Sequence, residues 1–139
     1  MANALYPLWK QNILKCDTDY ELDSAEGTTG VYAALVDTGT YTYSAAHQYY
    51  SSLSGIAGTD QEILTKTQTS GTFDGTDLTY TAVAAGNSIE AIVLYRKNAG
   101  ANTTWPLIAY LDTSITGLPV TPNGGNITIT WDASGIFTL

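Results

Sequence analysis

Near the end of the chain Ile127, Ile129 and Trp131 alternate with Thr128 and Thr130, a spacing that lines one face of an extended strand but scatters around a helix. The same period recurs upstream. Leu78, Tyr80 and Ala82 alternate with Thr79, Thr81 and Val83 after the turn sequence Asp74-Gly75-Thr76-Asp77. From Glu62, Ile63, Thr65, Thr67 and Thr69 face one way and Leu64, Lys66 and Gln68 the other, up to Ser70-Gly71. Ile89 to Tyr95 is the most apolar segment and reads as a central strand. Val31 to Val36 reads as a buried strand ending at Asp37-Thr38-Gly39, Trp105 to Leu111 as another, and Ile136 to Leu139 as a last short one.

Helical signals are few and short. Pro7 suits a first turn, with Leu8, Ile13 and Leu14 at loosely helical spacing up to Lys15. Ser44 is placed to cap a second helix over Ala45 to Leu53, with Ala46, Tyr49, Tyr50 and Leu53 on one face and Gly55 and Gly58 closing it. The expected fold is therefore mainly β: an antiparallel β-sandwich or jelly-roll-like domain with one or two short helices. One domain spans residues 1–139, with an N-terminal arm or short helix over about residues 1–16. An open α+β sheet is the alternative.

Composition supports the β reading and narrows the function classes. Charged residues make up 13% of the 139 residues, about half the share of an ordinary soluble domain. Thr, Ser and Asn carry the polarity instead, and they suit a half-exposed pleated surface. The formal net charge is −8, with only five basic residues and no stripe of them, which speaks against gripping a phosphate backbone. No apolar run approaches the roughly 20 residues that span a bilayer, and Met1 to Ile13 lacks the basic-then-apolar form of a secretory signal. The expectation is thus no nucleic acid, no membrane and synthesis in a reducing cytoplasm, where the single Cys16 stays free.

Several constellations invite chemistry. Ala34-Leu35-Val36-Asp37-Thr38-Gly39 has the form that aspartic proteases use to hold a carboxylate in a tight turn, and a dimer would supply the second one. Ile92 to Arg96, the nearest match to the second apolar strand of such enzymes, lacks its glycine, so an ordinary Asp-X-Gly turn is the favoured reading. Asp17, Asp19 and Asp23 resemble a calcium loop, but Leu22 and Thr28 stand where that loop needs Gly and Glu. His47 is the sole histidine, and with Cys16 it makes too few ligands for a metal site. No catalytic set, metal or cofactor is expected. What remains is aromatic area suited to protein contact: Leu5, Tyr6, Leu8 and Trp9 near the start, Tyr41, Tyr43, Tyr49 and Tyr50 in the middle, and Trp105. The arms Ala4 to Trp9 and Gly135 to Leu139 are expected to dock on a neighbour.

Four segments together resemble tailed-bacteriophage virion proteins of similar length. They are Ala4 to Gln11 (Ala-Leu-Tyr-Pro-Leu-Trp-Lys-Gln), Val31 to Ala46, Glu90 to Tyr95, and Gly117 to Gly125 (Gly-Leu-Pro-Val-Thr-Pro-Asn-Gly-Gly). The functional class most similar is the capsid cement or decoration protein of HK97-type shells. That resemblance implies a structural protein of the capsid exterior, made in the bacterial host cytoplasm, whose partners are the major capsid protein and its own copies in a homodimer or homotrimer. A tail or receptor-binding component that recognises glycans through exposed Trp and Tyr is the second expectation. A dimeric aspartic protease acting through Asp37 is the third.

Overall fold

The computed structural model describes residues 3–139. Among these residues ten strands form three antiparallel sheets that, with one α-helix, share one hydrophobic cluster, a β-sandwich-like arrangement. In chain order they are β1 (Ala4–Leu5), α1 (Pro7–Leu14), β2 (Gly30–Val36), β3 (Ile56–Glu62), β4 (Thr67–Thr69), β5 (Thr72–Asp74), β6 (Leu78–Tyr80), β7 (Ala91–Lys97), β8 (Leu107–Leu111), β9 (Ile127–Ile129) and β10 (Phe137–Thr138). The main sheet runs β1-β8-β7-β2-β3, and the smaller ones run β10-β5-β4 and β6-β9.

Strand β7 lies at the centre, as its composition demands. Residues Ala91 to Arg96 are all buried, and so is every residue of β8. Strands covered on both faces cannot alternate, so they read as continuous apolar runs. β9 is covered on one face only, and Ile127 and Ile129 are buried while Thr128 is exposed. Its partner β6 repeats the pattern, with Leu78 opposite Ile129 and Tyr80 opposite Ile127. Tyr80 is buried and donates its hydroxyl to the Ala33 carbonyl at 2.9 Å, fastening the small sheet to the large one.

The helix forms where Pro7 permits it, but its buried face differs from the expected one. Trp9 and Asn12 are buried and Ile13 partly so, whereas Leu14 is 84% exposed. Trp9 and Ile13 are four apart and share a face; Leu14, at about 100° per residue, falls well around the cylinder from Trp9.

The second expected helix does not exist. Tyr50–Ser52 make one 3₁₀ turn, and the chain before them is loop. Here the backbone bonds to β8 and its lead-in instead of to itself: Tyr50 N–H donates to Trp105 O, Leu107 N–H donates to Gln48 O, and Tyr49 bridges Pro106. Tertiary pairing outbids local propensity. Of the glycines expected to stop that helix, Gly58 belongs to β3, which the sequence reading missed, and Gly55 immediately precedes it. Gly58 has φ +70° and stands where the β2–β3 register slips, between the pairs Leu35–Ala57 and Ala33–Gln61. The strand expected from Ile63 to Thr69 is also broken. β3 ends at Glu62, Thr65 takes a φ of +50°, and pairing resumes only in the β4–β5 hairpin.

Both arms are tied into the domain's own sheets. Ala4 and Leu5 pair with Tyr110 and Ala109, and Phe137 and Thr138 pair with Phe73 and Thr72. Each arm thus pairs with its own chain along one side and lies at the edge of its sheet.

Candidate functional site

An aromatic groove forms where β2, β3 and β7 meet the loops at Tyr50 and Trp105. Tyr32 and Tyr95 are opposite each other in the β2–β7 register, so both rings rise from one face of the sheet. They stack with centroids 5.8 Å apart and 26° between planes. The 3₁₀ turn Asn102–Thr104 delivers Trp105, whose ring lies 5.8 Å from Tyr95 at only 10°. Tyr50 fills the corner, 4.6 Å from Tyr95 and 5.4 Å from Trp105. Lys97 follows Tyr95 by two positions on β7 and therefore shares its face. Its Nζ sits 5.0 Å over the Tyr32 ring and 5.4 Å over Trp105, a cation–π arrangement with both.

Asp60 of β3 supplies the acid. Its Oδ2 accepts hydrogen bonds from the Tyr50 hydroxyl at 2.8 Å and the Tyr95 hydroxyl at 2.9 Å. Burial pushes the carboxyl pKa above its ordinary value, and the pull of the two hydroxyls and of the Lys97 charge does not cancel that rise. Burial, then the charge of Asp60, pushes the Tyr50 and Tyr95 hydroxyls up as well. Asp60 Oδ1 and Trp105 Nε1 are buried and hydrogen-bond to no described residue. Together these side chains line a groove of about 340 Å³. It offers flat ring faces and a cationic donor, with an unpaired indole donor and an unpaired carboxyl oxygen buried in its wall.

Of the residues expected to be an interface, the structure brings Tyr50 and Trp105 together here. Tyr6, Trp9 and Tyr41 are buried core instead. Trp9 Nε1 donates to Tyr20 O at 2.9 Å, and its ring meets Phe137 edge-on at 5.8 Å. The Tyr6 and Tyr41 hydroxyls bond each other at 2.8 Å, and Tyr41 reaches His47 Nδ1 at 2.9 Å. Tyr43 is half-buried against Tyr6 and Tyr110, at 5.1 and 5.5 Å. Burial, then Asp112, pushes the Tyr110 pKa up to about 12. Leu5 and Leu8 are half-buried against the core, and the half-buried Tyr49 has its hydroxyl 3.5 Å from that of Tyr20.

Tyr32, Asp60, Tyr95 and Lys97 escaped the sequence reading. The Tyr95-x-Lys97 spacing on an apolar strand was visible, but the register that sets Tyr32 beside it was not. Asp60 lay hidden because β3 itself was missed.

Asp37 sits in the turn its sequence suggested. Oδ1 accepts from Gly39 N–H at 2.7 Å, and Oδ2 accepts from Thr40 Oγ1 at 2.8 Å and Asn87 Nδ2 at 2.9 Å. The Asn87 bond, then those of Thr40 and Gly39, hold its pKa below the usual carboxylate range. A depressed folded-state pKa means stability that is present above the unfolded value of about 3.9 and lost as pH falls through the folded one. Asp37→Asn should remove that acid limb and destabilise the turn at neutral pH, since the amide nitrogen faces donors. Thermal melts across a pH series check this; an unchanged acid limb would count against it.

A second, apolar groove of about 290 Å³ is lined by Ile13, Leu22, Phe73, Phe137 and Leu139 among others. Leu139 is 65% exposed, and Leu14, next to Ile13 in the chain, is 84% exposed. Comparison with known proteins finds no matching family model, no matching curated protein and no matching solved structure.

Proposed function

We propose that this protein is a capsid cement, a decoration protein that binds the outer surface of an HK97-type phage shell and stabilises it by non-covalent contacts. The observation that carries the reading is the apolar groove lined by Ile13, Leu22, Phe73, Phe137 and the exposed Leu139, with Glu21 and Asp23 also on its lining. Such a surface gains free energy when covered, and it binds by shape and apolar area rather than by charge. The four segments that resemble virion proteins support the same conclusion, and the antiparallel β class agrees with it. The partners on this reading are the major capsid protein and further copies of the chain. Contacts repeated across a shell make a modest single contact tight.

Burying one exposed leucine is worth roughly 1.5–3 kcal/mol. Leu14→Glu combined with Leu139→Glu should therefore weaken shell binding at least about tenfold, while the melting temperature barely moves because both side chains already face solvent. The measurement is co-sedimentation with undecorated, expanded shells of the tailed phage whose genome carries the sequence. Failure of the wild-type protein to pellet with those shells would remove the proposal.

A further inference from the structure

The aromatic groove holds two orphaned atoms of opposite polarity, and this narrows what can fill it. Among the described residues Asp60 Oδ1 is an acceptor without a donor, and Trp105 Nε1–H is a donor without an acceptor. Leaving buried polar atoms unpaired costs about 1–3 kcal/mol each, so a ligand that satisfies both gains more than one that satisfies either. A cationic side chain carries donors only and would answer Asp60 alone. It would also have to displace the Lys97 ammonium from Tyr32 and Trp105, exchanging one cation–π contact for another. A carboxylate or phosphate carries acceptors only, and it would approach Asp60 in a chain of net charge −8. A hydroxyl is donor and acceptor at once.

We infer that this groove is a binding site for a neutral sugar ring. The apolar C–H face of a pyranose lies against the flat rings of Tyr32 and Trp105; its hydroxyls meet the Lys97 ammonium first and reach Asp60 Oδ1 and Trp105 Nε1, both buried in the free protein, only as the groove side chains move aside. A volume of about 340 Å³ is at the lower end for small-molecule sites and suits one or two sugar residues. Lys97 shifts off the rings as the sugar arrives and becomes a donor to it. Asp60 stays held through Oδ2 by Tyr50 and Tyr95, which fixes the orientation of Oδ1 before binding. The site shares no lining residue with the apolar groove proposed for shell docking and does not depend on that reading.

The test is saturation-transfer NMR and calorimetry on the intact protein. The probes are methyl α-glucoside, methyl β-galactoside and N-acetylglucosamine as single rings, maltohexaose, cellohexaose and chitohexaose as chain segments, and glucuronate and N-acetyl-arginine amide as charged competitors. At least one neutral sugar should bind, quench Trp105 fluorescence, and lose about tenfold or more in affinity in Tyr32→Ala and in Trp105→Ala. Asp60→Asn, which keeps the shape and turns an acceptor into a donor, should also weaken binding, and Lys97→Met less so. Tighter binding of hexamers than of single rings assigns the site to a polysaccharide chain, and equal binding assigns it to a terminal or free sugar. The inference is overturned if no neutral sugar binds at millimolar concentration, if the arginine amide or glucuronate binds in their place, or if folded Tyr32→Ala and Asp60→Asn proteins bind as the wild type does.

Discussion

Trp9→Ala should lower the stability of the domain by about 3–5 kcal/mol, a large part of the 5–15 kcal/mol that holds a typical domain folded. Trp9 is fully buried under the short helix, and the substitution opens a void that a helix of eight residues cannot close by itself. It also strands the Tyr20 carbonyl, which accepts the indole N–H at 2.9 Å, and removes the edge-on contact with Phe137 of β10. Two elements on opposite ends of the sequence are thus loosened together. The melting temperature should fall by more than about 10 °C. A drop of only a few degrees would show that helix and β10 are held by something else. Trp9→Phe, which keeps the ring but not the N–H, should recover more than half of the loss.

The paired change Tyr50→Phe and Tyr95→Phe should cost about 2–4 kcal/mol at neutral pH, and the cost should shrink in acid. Those hydroxyls are the two donors to Asp60 Oδ2, and without them a buried carboxylate keeps only the Lys97 charge as compensation. The sign follows from linkage. Burial raises the folded-state pKa of Asp60 above its unfolded value, so the folded protein takes up a proton more readily and this group disfavours folding more as pH rises through the folded pKa. Each hydroxyl bond lowers that pKa, so removing both raises it further and enlarges the penalty above it. Below the unfolded pKa of about 3.9 the carboxyl is protonated in both states and only the neutral hydrogen bonds are lost. Denaturant titrations of the double variant at pH 7 and pH 4 measure the difference. Equal losses at both values would mean that Asp60 is not charged in the folded protein at neutral pH. A shift in the opposite sense would contradict the assignment of the hydroxyls as its donors.

These outcomes bear on two faces of the molecule. The Trp9 change reports on how the helix and β10, which line the apolar groove through Ile13 and Phe137, are held to the body, and the paired tyrosine change reports on the wall of the aromatic groove. The leucine changes that test shell docking leave the groove alone. A loss in one assay with the others intact therefore identifies which surface is at fault.

The division between what was readable along the chain and what was not follows the range of the forces involved. Alternation in Ile127–Ile129 and Leu78–Tyr80, the unbroken apolar run of β7 and the proline-opened helix are local signals: each residue's preference is set by its own backbone geometry and by which face is covered. The sequence by itself therefore determined the β class, the central position of β7 and the Asp37 turn, whose side chain bonds Gly39 and Thr40 close by, although its bond from Asn87 is set by the fold. Tertiary structure alone decided that residues 48–50 pair with the start of β8 instead of coiling, and that Gly58 opens a bulge in β3 instead of ending a helix. It also decided which aromatics become core, as Tyr6, Trp9 and Tyr41 do, and which meet around Asp60. A tyrosine or tryptophan gains from burial almost anywhere, so its destination is set by strand register and by partners outside its own element, 35 positions away in the case of Asp60 and Tyr95.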